Sequence, residues 1–293
     1  MTNLTLKDTV FSEKHSLNCR GKLLDLARPA IMGILNITDD SFFDGGIYVD
    51  TNTILERVKL MLSQGADIID IGAMSTRPGS LPVHEEIEIE RLSEALELIR
   101  KSFPDIIISI DTFRPEVARK MILEYKIDII NDITAGGENE EMFQIIAEFK
   151  VPYIIMHMQG EPGTMQQKPQ YPDVVDEVLL YLAKKTSSLR KLGVNDIIVD
   201  PGFGFGKTLD HNYQLLANLS VFCSLELPIL VGLSRKSMIS RFLNTSPDDA
   251  LNGTTALHMF ALNQSANILR VHDVKEAVET RNLYYKLRET AEK

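Results

Sequence analysis

The sequence has no tryptophan, only two cysteines (Cys19 and Cys223), and an aromatic content of 7% across 293 residues. Thiols so far apart form neither a redox C-x-x-C motif nor a metal-ligand cluster. With no signal peptide in view, they are expected to be reduced thiols of a cytoplasmic protein. Positive charge is scarce as well: 31 Lys and Arg against 41 Asp and Glu leave a net charge of −10. That balance opposes a general nucleic-acid or anionic-membrane role, although local cationic sites can still hold anions. No apolar run approaches the roughly 20 residues that a transmembrane helix requires, and low-complexity segments are absent.

What remains is ordinary for a soluble globular chain, 44% hydrophobic and 25% charged. The length suits either two average domains or one α/β barrel. The most informative stretch is Asp200-Pro201-Gly202-Phe203-Gly204-Phe205-Gly206-Lys207-Thr208, which follows the apolar run Ile197-Ile198-Val199. An acid here ends a buried strand and faces a loop of alternating Gly and Phe. Glycines let backbone approach a flat ligand closely, and a carboxylate beside apolar rings suits a planar heterocycle rich in N–H donors. A capped strand-to-helix turn is the plainer alternative. Gly206-Lys207-Thr208 imitates the end of a phosphate-binding P-loop, but Pro201 occupies the place of that motif's first glycine. Proline removes an N–H from a loop that works by pointing N–H groups at phosphates, so an ATPase reading is rejected.

From Ala30 onward, apolar runs alternate with helix-like segments. Strands are expected at 30–35, 68–71, 106–110, 127–130, 153–156, 197–199, 229–231 and 268–271. Helices are expected near 55–62, 85–101, 115–124, 140–149, 174–192, 209–219 and 274–287, with two more within 235–265. Near-continuous Ile/Val/Leu runs are what strands buried on both faces require. The expected fold is α/β: a single (β/α)8 TIM barrel over 29–293, with an extra helix between strands seven and eight. An open doubly wound sheet is the second choice. Residues 1–28 read as an N-terminal extension carrying a small hairpin, turned at Arg20-Gly21-Lys22 and standing outside the main body.

A barrel of this kind keeps its active site at the C-terminal strand ends. Those positions are Asn36, Asp70, Asp111, Asn131, His157, Asp200, Ser234, and Arg270 with His272. Singly, each has a plainer role. Asp111 could cap a helix, Asp70 could anchor the barrel, His157 between two methionines could be packed wall, and Arg270 could pair with a surface acid. Jointly, eight strand ends each offering a hydrogen-bonding group to one mouth are hard to explain by stability. Asp111, Asn131 and Asp200 suit the N–H-rich edge of a ring. Lys236, Arg270 and His272 are donors, and Arg-x-His on an ending strand puts both side chains on one face. Asn36 adds a neutral oxygen suited to Mg²⁺. A donor cluster with a weak Mg²⁺ site can hold a diphosphate and help it leave. Loops 39–46 and 75–80, with their glycine hinges, could close over a second substrate.

At this level of detail the chain resembles the dihydropteroate synthase family over about residues 30–287. The resemblance is carried by Gly33-Ile34-Leu35-Asn36-Ile37-Thr38, Ser75-Thr76-Arg77-Pro78-Gly79, Ser109-Ile110-Asp111-Thr112, Asn131-Asp132-Ile133, Met156-His157-Met158-Gln159-Gly160, the 200–207 loop, Gly232-Leu233-Ser234-Arg235-Lys236 and Arg270-Val271-His272-Asp273. It implies a homodimeric TIM barrel of folate biosynthesis that joins a dihydropterin diphosphate to p-aminobenzoate with Mg²⁺, a sulfonamide target. By resemblance, the pterin falls to Asp111, Asn131, Met156, Asp200, Gly232 and Lys236. Diphosphate falls to Asn36, Arg77, Arg270 and His272, with Asn36 also the metal ligand. The p-aminobenzoate pocket falls to Phe42, Asp44, Thr76, Pro78, Phe203, Ser234 and Lys236, and catalysis to Asp111, Lys236, Arg270 and His272.

The chain departs from the family in both loops. Thr38-Asp39-Asp40-Ser41-Phe42-Phe43 lacks the usual proline and carries Phe43 where a serine is customary, and Met74 replaces a common Glu. Two other readings compete. A methyltetrahydrofolate-binding methyltransferase would share the barrel but lack the Lys236, Arg270 and His272 donors. A non-catalytic pterin-binding scaffold would not need the intact anion-binding half.

Overall fold

The computed structural model describes residues 16–37, 51–74, 83–160, 165 and 169–291. Strands β1 (Ser16–Cys19) and β2 (Lys22–Asp25) form an antiparallel hairpin turned at Arg20-Gly21. Eight parallel strands follow: β3 (Ala30–Asn36), β4 (Ile68–Gly72), β5 (Ile107–Asp111), β6 (Ile129–Asp132), β7 (Tyr153–Met156), β8 (Ile197–Asp200), β9 (Leu230–Val231) and β10 (Ile268–Val271). The sheet order β8-β7-β6-β5-β4-β3-β10-β9 is that of a barrel cut between β8 and β9. A parallel bridge from Val199 to Ile229, with Val199 N donating to Pro228 O at 2.9 Å, closes the cut.

Helices α1 (Thr51–Ser63), α2 (Glu85–Ser102), α3 (Pro115–Tyr125), α4 (Glu141–Phe149), α5 (Val174–Lys191) and α6 (Leu209–Ala217) separate the strands as far as β8. A 3₁₀ turn (Leu219–Leu225) precedes β9, and α7 (Ser237–Leu243), α8 (Leu251–Asn263) and α9 (Val274–Ala291) complete the chain. Pro115 opens α3, where its missing N–H costs nothing. Thr208 and His211 make a capping box that fixes where the 200–207 loop turns into α6.

Strand parity explains how this frame builds a site. Alternate residues point to opposite faces of a strand. Ile31, Leu35, Ile69, Ile71, Ile108, Ile110, Ile130, Ile155, Val199, Val231 and Leu269 join the cluster beneath the helices. The other parity fills the barrel. At its base lie Met32, Ile68, Ile129, Ile154, Ile198, Leu230 and Ile268. Continuing two or four residues along the same faces reaches Asn36, Asp70, Asp111, Asn131, Met156, Asp200, Gly232, Arg270 and His272.

The hairpin departs from its expected place outside the main body. Leu17, Cys19, Leu24 and Leu26 belong to the same buried cluster as the barrel's basal layer. Lys22 donates to Asp105 O at 2.8 Å and Arg20 to Lys126 O, so the hairpin plugs the N-terminal end. Burying the open base of a barrel explains its apolar alternation, which sequence alone could not assign to a partner. Two expected strands also shift toward their C-terminal ends. Asp128, read as part of a strand, instead binds Ile108 N and Arg100 as an anchor at the base. Asp111 therefore closes β5 and Asn131 lies within β6, rather than following their strands. The expected helix over 209–219 ends at Ala217, and the chain tightens into the 3₁₀ turn.

Candidate functional site

Arg270 sits at the centre of the mouth. Its Nε donates to Asp70 Oδ2 at 2.7 Å and its Nη2 to Asp111 Oδ2 at 2.6 Å. Asn131 Nδ2 donates to the same Asp70 oxygen at 3.2 Å. Asp70 is fully enclosed, and its Oδ1, like the Ser109 hydroxyl beside it in register, has no partner among the described residues. Burial pushes the Asp111 carboxyl above the usual carboxylate range, against the pull of Arg270. Burial opposes the charge on Arg270 too, but Asp70 and Asp111 more than restore it and hold its pKa above the ordinary value. The acceptor and donor sets that the sequence separated are thus interlocked, because neighbouring strands put them in one layer.

Asn36 Oδ1 and Asp111 Oδ2 flank Gly72: a Cβ built there would meet them at 3.5 and 3.8 Å. The missing side chain leaves a gap with a neutral and an acidic oxygen on its rim. His272 follows β10, with Nδ1 3.1 Å from Ser234 Oγ, while its carbonyl accepts from Arg57 at 2.7 Å. Arg235 makes a two-pronged pair with Asp273, at 2.9 and 2.7 Å, which holds the segment carrying Ser234 and Lys236 against the end of β10.

The opposite rim is the 200–207 loop. Asp200 is buried, and its Oδ1 accepts from Gly202 N at 2.7 Å. Burial raises its pKa, while Lys236 and that hydrogen bond lower it. Lys236 donates to Phe203 O and sits 4.4 Å from the centre of the Phe205 ring. Burial brings its pKa down to about 8 against the attraction of Asp200. A cavity of about 280 Å³ opens between this loop and the first turns of α6 and α7, lined in part by Gly204, Lys207, Asn212, Ser237 and Arg241.

Of the residues expected to form the site, Asn36, Asp111, Asn131, Met156, Asp200, Gly232, Ser234, Lys236, Arg270 and His272 come to this mouth or its rim. Phe203 does not bring its ring there: the side chain is fully buried in the cluster beneath the helices, and only its carbonyl meets Lys236. Phe42, Asp44, Thr76, Arg77 and Pro78, with the altered positions Asp39 and Phe43, lie outside the described residues. His157 is wall, as the plainer reading had it, with Tyr181 edge-on at 4.9 Å. Asp70 is more than a barrel anchor, since two of the expected site side chains, Arg270 and Asn131, donate to it. Lys207, set aside with the false P-loop, is buried and bonded at the loop's underside. Its only sequence signal was its place at the end of a glycine-rich loop.

A parallel eight-stranded barrel with carboxylates, an amide and cations converging at its C-terminal mouth defines an enzyme that binds a polar heterocycle and an anion. The family model for pterin binding enzymes matches residues 32–272, and the chain belongs to that family. It is 46% identical to the dihydropteroate synthase of Escherichia coli K12 over 268 residues, covering 90% of this chain and 93% of that protein. The fold superposes on Yersinia pestis dihydropteroate synthase in a sulfonamide drug complex with TM-score 0.87 at 41% identity, over 94% and 99% of the two chains. It also superposes on the Xanthomonas albilineans synthase in complex with 7,8-dihydropteroate, with TM-score 0.82 at 34% identity over 93% and 98%.

Proposed function

We propose that the chain is a dihydropteroate synthase of folate biosynthesis, a transferase that condenses 6-hydroxymethyl-7,8-dihydropterin diphosphate with p-aminobenzoate. The products are 7,8-dihydropteroate and diphosphate. The observation that carries this reading is the Arg270–Asp70–Asn131 cluster with Asp111, facing Asp200 and Lys236 across the mouth. Carboxylate and amide acceptors are available to ring N–H groups, and the cations interleaved with them, Arg270 and Lys236, to a leaving anion.

The pterin would lie between Asn131, Asp111 and Asp200, with Lys236 donating to its acceptor edge and Met156 and Gly232 forming the slot. Arg270, His272 and Arg77 would hold the diphosphate. Ser234, Lys236, Thr76 and Pro78 would border p-aminobenzoate beneath the loop bearing Phe42 and Asp44, with Phe203 acting only through the carbonyl that seats Lys236. The exocyclic C–O bond breaks with its electron pair going to diphosphate, which Arg270 and His272 stabilise. Buried carboxylates stabilise the carbocation left behind. The arylamine lone pair forms the C–N bond, and the amine proton passes to solvent. Neither a covalent nucleophile nor its base is needed.

Mg²⁺ fits the rim at Gly72, where Asn36 supplies one neutral oxygen and a diphosphate would supply others. Bound there, the ion would neutralise charge on the departing group. The remaining parts of the reading are a cytoplasmic homodimer, with 29–293 as the pterin-binding barrel and 1–28 as an N-terminal extension. The test is mass-spectrometric detection of dihydropteroate from the two substrates, with and without Mg²⁺. Mg²⁺-dependent product is expected, and its absence from folded protein overturns the proposal.

A further inference from the structure

Two lysines grip the 200–207 loop from opposite sides. Lys236 holds it from the mouth, and Lys207 lies beneath it, 3% exposed. Lys207 Nζ is 2.9 Å from Gly202 O, 3.0 Å from Phe205 O and 3.1 Å from His157 O. Three carbonyls match the three N–H groups of an ammonium. His157 Nδ1 makes a fourth contact at 3.0 Å. Burial and then the Lys207 charge lower the His157 pKa to about 3, so the ring is neutral. A lone pair on Nδ1 facing the ammonium assigns the ring proton to Nε2.

Enclosing a cation among neutral acceptors is costly, and burial lowers the Lys207 pKa to about 7 despite Asp200. A simple connector would not require it. The four contacts share one consequence. Gly202 O and Phe205 O bracket Phe203, whose carbonyl receives Lys236, and Gly202 N holds Asp200 Oδ1. His157 O ties both to the exit of β7. The loop lies flat on that exit, since a Cβ on Gly202 would come within 2.0 Å of His157 O and one on Gly206 within 2.3 Å of Gln159 O.

We propose that Lys207 is a positioning residue: its ammonium fastens the underside of the loop to the end of β7, and so fixes Asp200 and the Phe203 carbonyl that seats Lys236. The role rests on the reading of the mouth as a pterin pocket. It also explains a lysine at the end of a glycine-rich loop without any phosphate, because Nζ is engaged by the loop's own carbonyls.

The test is calorimetric binding of two separate probes, a dihydropterin lacking the diphosphate and inorganic diphosphate with Mg²⁺. They are titrated into wild type and Lys207→Met, which keeps the stem and removes the donors. The expected result is about a tenfold or greater loss of pterin affinity, with diphosphate affinity within about twofold of wild type. Pterin binding unchanged in the folded variant overturns the proposal. A parallel loss of both probes also overturns it, because the residue then serves the whole fold. If Lys207→Met does not fold, Lys207→Arg keeps the charge but spreads its donors in a plane, and the same selective loss of pterin is expected. Wild type that fails to bind the pterin overturns the reading of the mouth itself, an outcome distinct from a variant that matches a competent wild type.

Discussion

Arg270 and Asp70, 200 residues apart in sequence, meet inside the barrel at 2.7 Å between Nε and Oδ2. The same carboxylate oxygen receives Asn131. One enclosed acid therefore aligns the proposed diphosphate cation with an amide of the proposed pterin pocket, and the two are not independent binding groups.

Asp70→Asn keeps the shape and removes the charge. Arg270 retains Asp111 but loses a charged hydrogen bond, so a stability loss of about 2 kcal/mol is expected. Turnover should fall further than stability accounts for, because both Arg270 and Asn131 lose their alignment. Urea denaturation and steady-state kinetics on the same preparation check this. Wild-type values in both would show the contact to be incidental.

Asp200→Asn replaces an acceptor-only group with one that presents a donor toward ring donors. Loss of a charged hydrogen bond of roughly 1.5–3 kcal/mol corresponds to a tenfold to hundredfold drop in pterin affinity. Calorimetry with a dihydropterin lacking the diphosphate measures it directly. Unchanged affinity would remove Asp200 from the pterin pocket.

The barrel and most of its mouth were legible because parity and apolarity act locally. Ile198 to Asp200 or Ile268 to Arg270 is one step along an inward face, from basal core to functional rim. Sequence could not reveal which rim groups touch. Arg270 meets Asp70 and Asp111 because β10, β3, β4 and β5 are consecutive in the closed sheet, a relation created by closure. The hairpin's place is hidden from the sequence for the same reason: its alternating pattern names a buried face but not the barrel base that covers it. Lys207 has no legible role in the sequence because its motif suggests only phosphate, whereas its partners are carbonyls brought up by the fold.

The pH dependence has two limbs. Lys236, lowered to about 8 chiefly by burial, loses its charge on the alkaline side, which weakens its donation to Phe203 O. Asp111, raised by burial, must ionise on the acidic side, so that limb should lie above the ordinary carboxylate range. A bell-shaped kcat/KM for the pterin substrate is expected, with its alkaline limb spanning about 7, where Lys207 loses the ammonium that fastens the loop, to about 8, where Lys236 loses its charge. Stability should move the other way. Between a folded pKa of about 8 and the unfolded value of 10.5, the unfolded chain binds more protons at Lys236, so stability rises with pH there. Lys207, lowered to about 7, adds the same sign, until the buried Cys19 thiol opposes it near its ordinary value of 9.0 and buried tyrosines such as Tyr153 above 10.0. Denaturant midpoints compared across about pH 7.5 to 8.5 test this, above the folded Asp111 value of about 7 and short of the ordinary thiol value of 9.0 at which Cys19 begins to oppose it. A midpoint that falls with the activity would contradict the burial of both lysines.

Gly202→Ala and Gly204→Ala separate backbone strain from contact. Both glycines have positive φ, +74° and +83°, so both variants carry the left-handed penalty of about 1 kcal/mol. Their surroundings differ. The new methyl at 202 would lie 2.0 Å from the His157 carbonyl, a backbone atom that cannot move without displacing the exit of β7. At 204 it would meet Lys236 Cδ at 3.2 Å, part of a flexible stem. Gly202→Ala should therefore cost roughly 3 kcal/mol or more and carry Asp200 out of place, with pterin binding lost. Gly204→Ala should cost nearer the backbone penalty alone and mainly disturb Lys236. Thermal unfolding together with pterin titration distinguishes the two. Equal losses from both variants would mean that the loop does not lie against β7 as closely as the Gly202 contact requires.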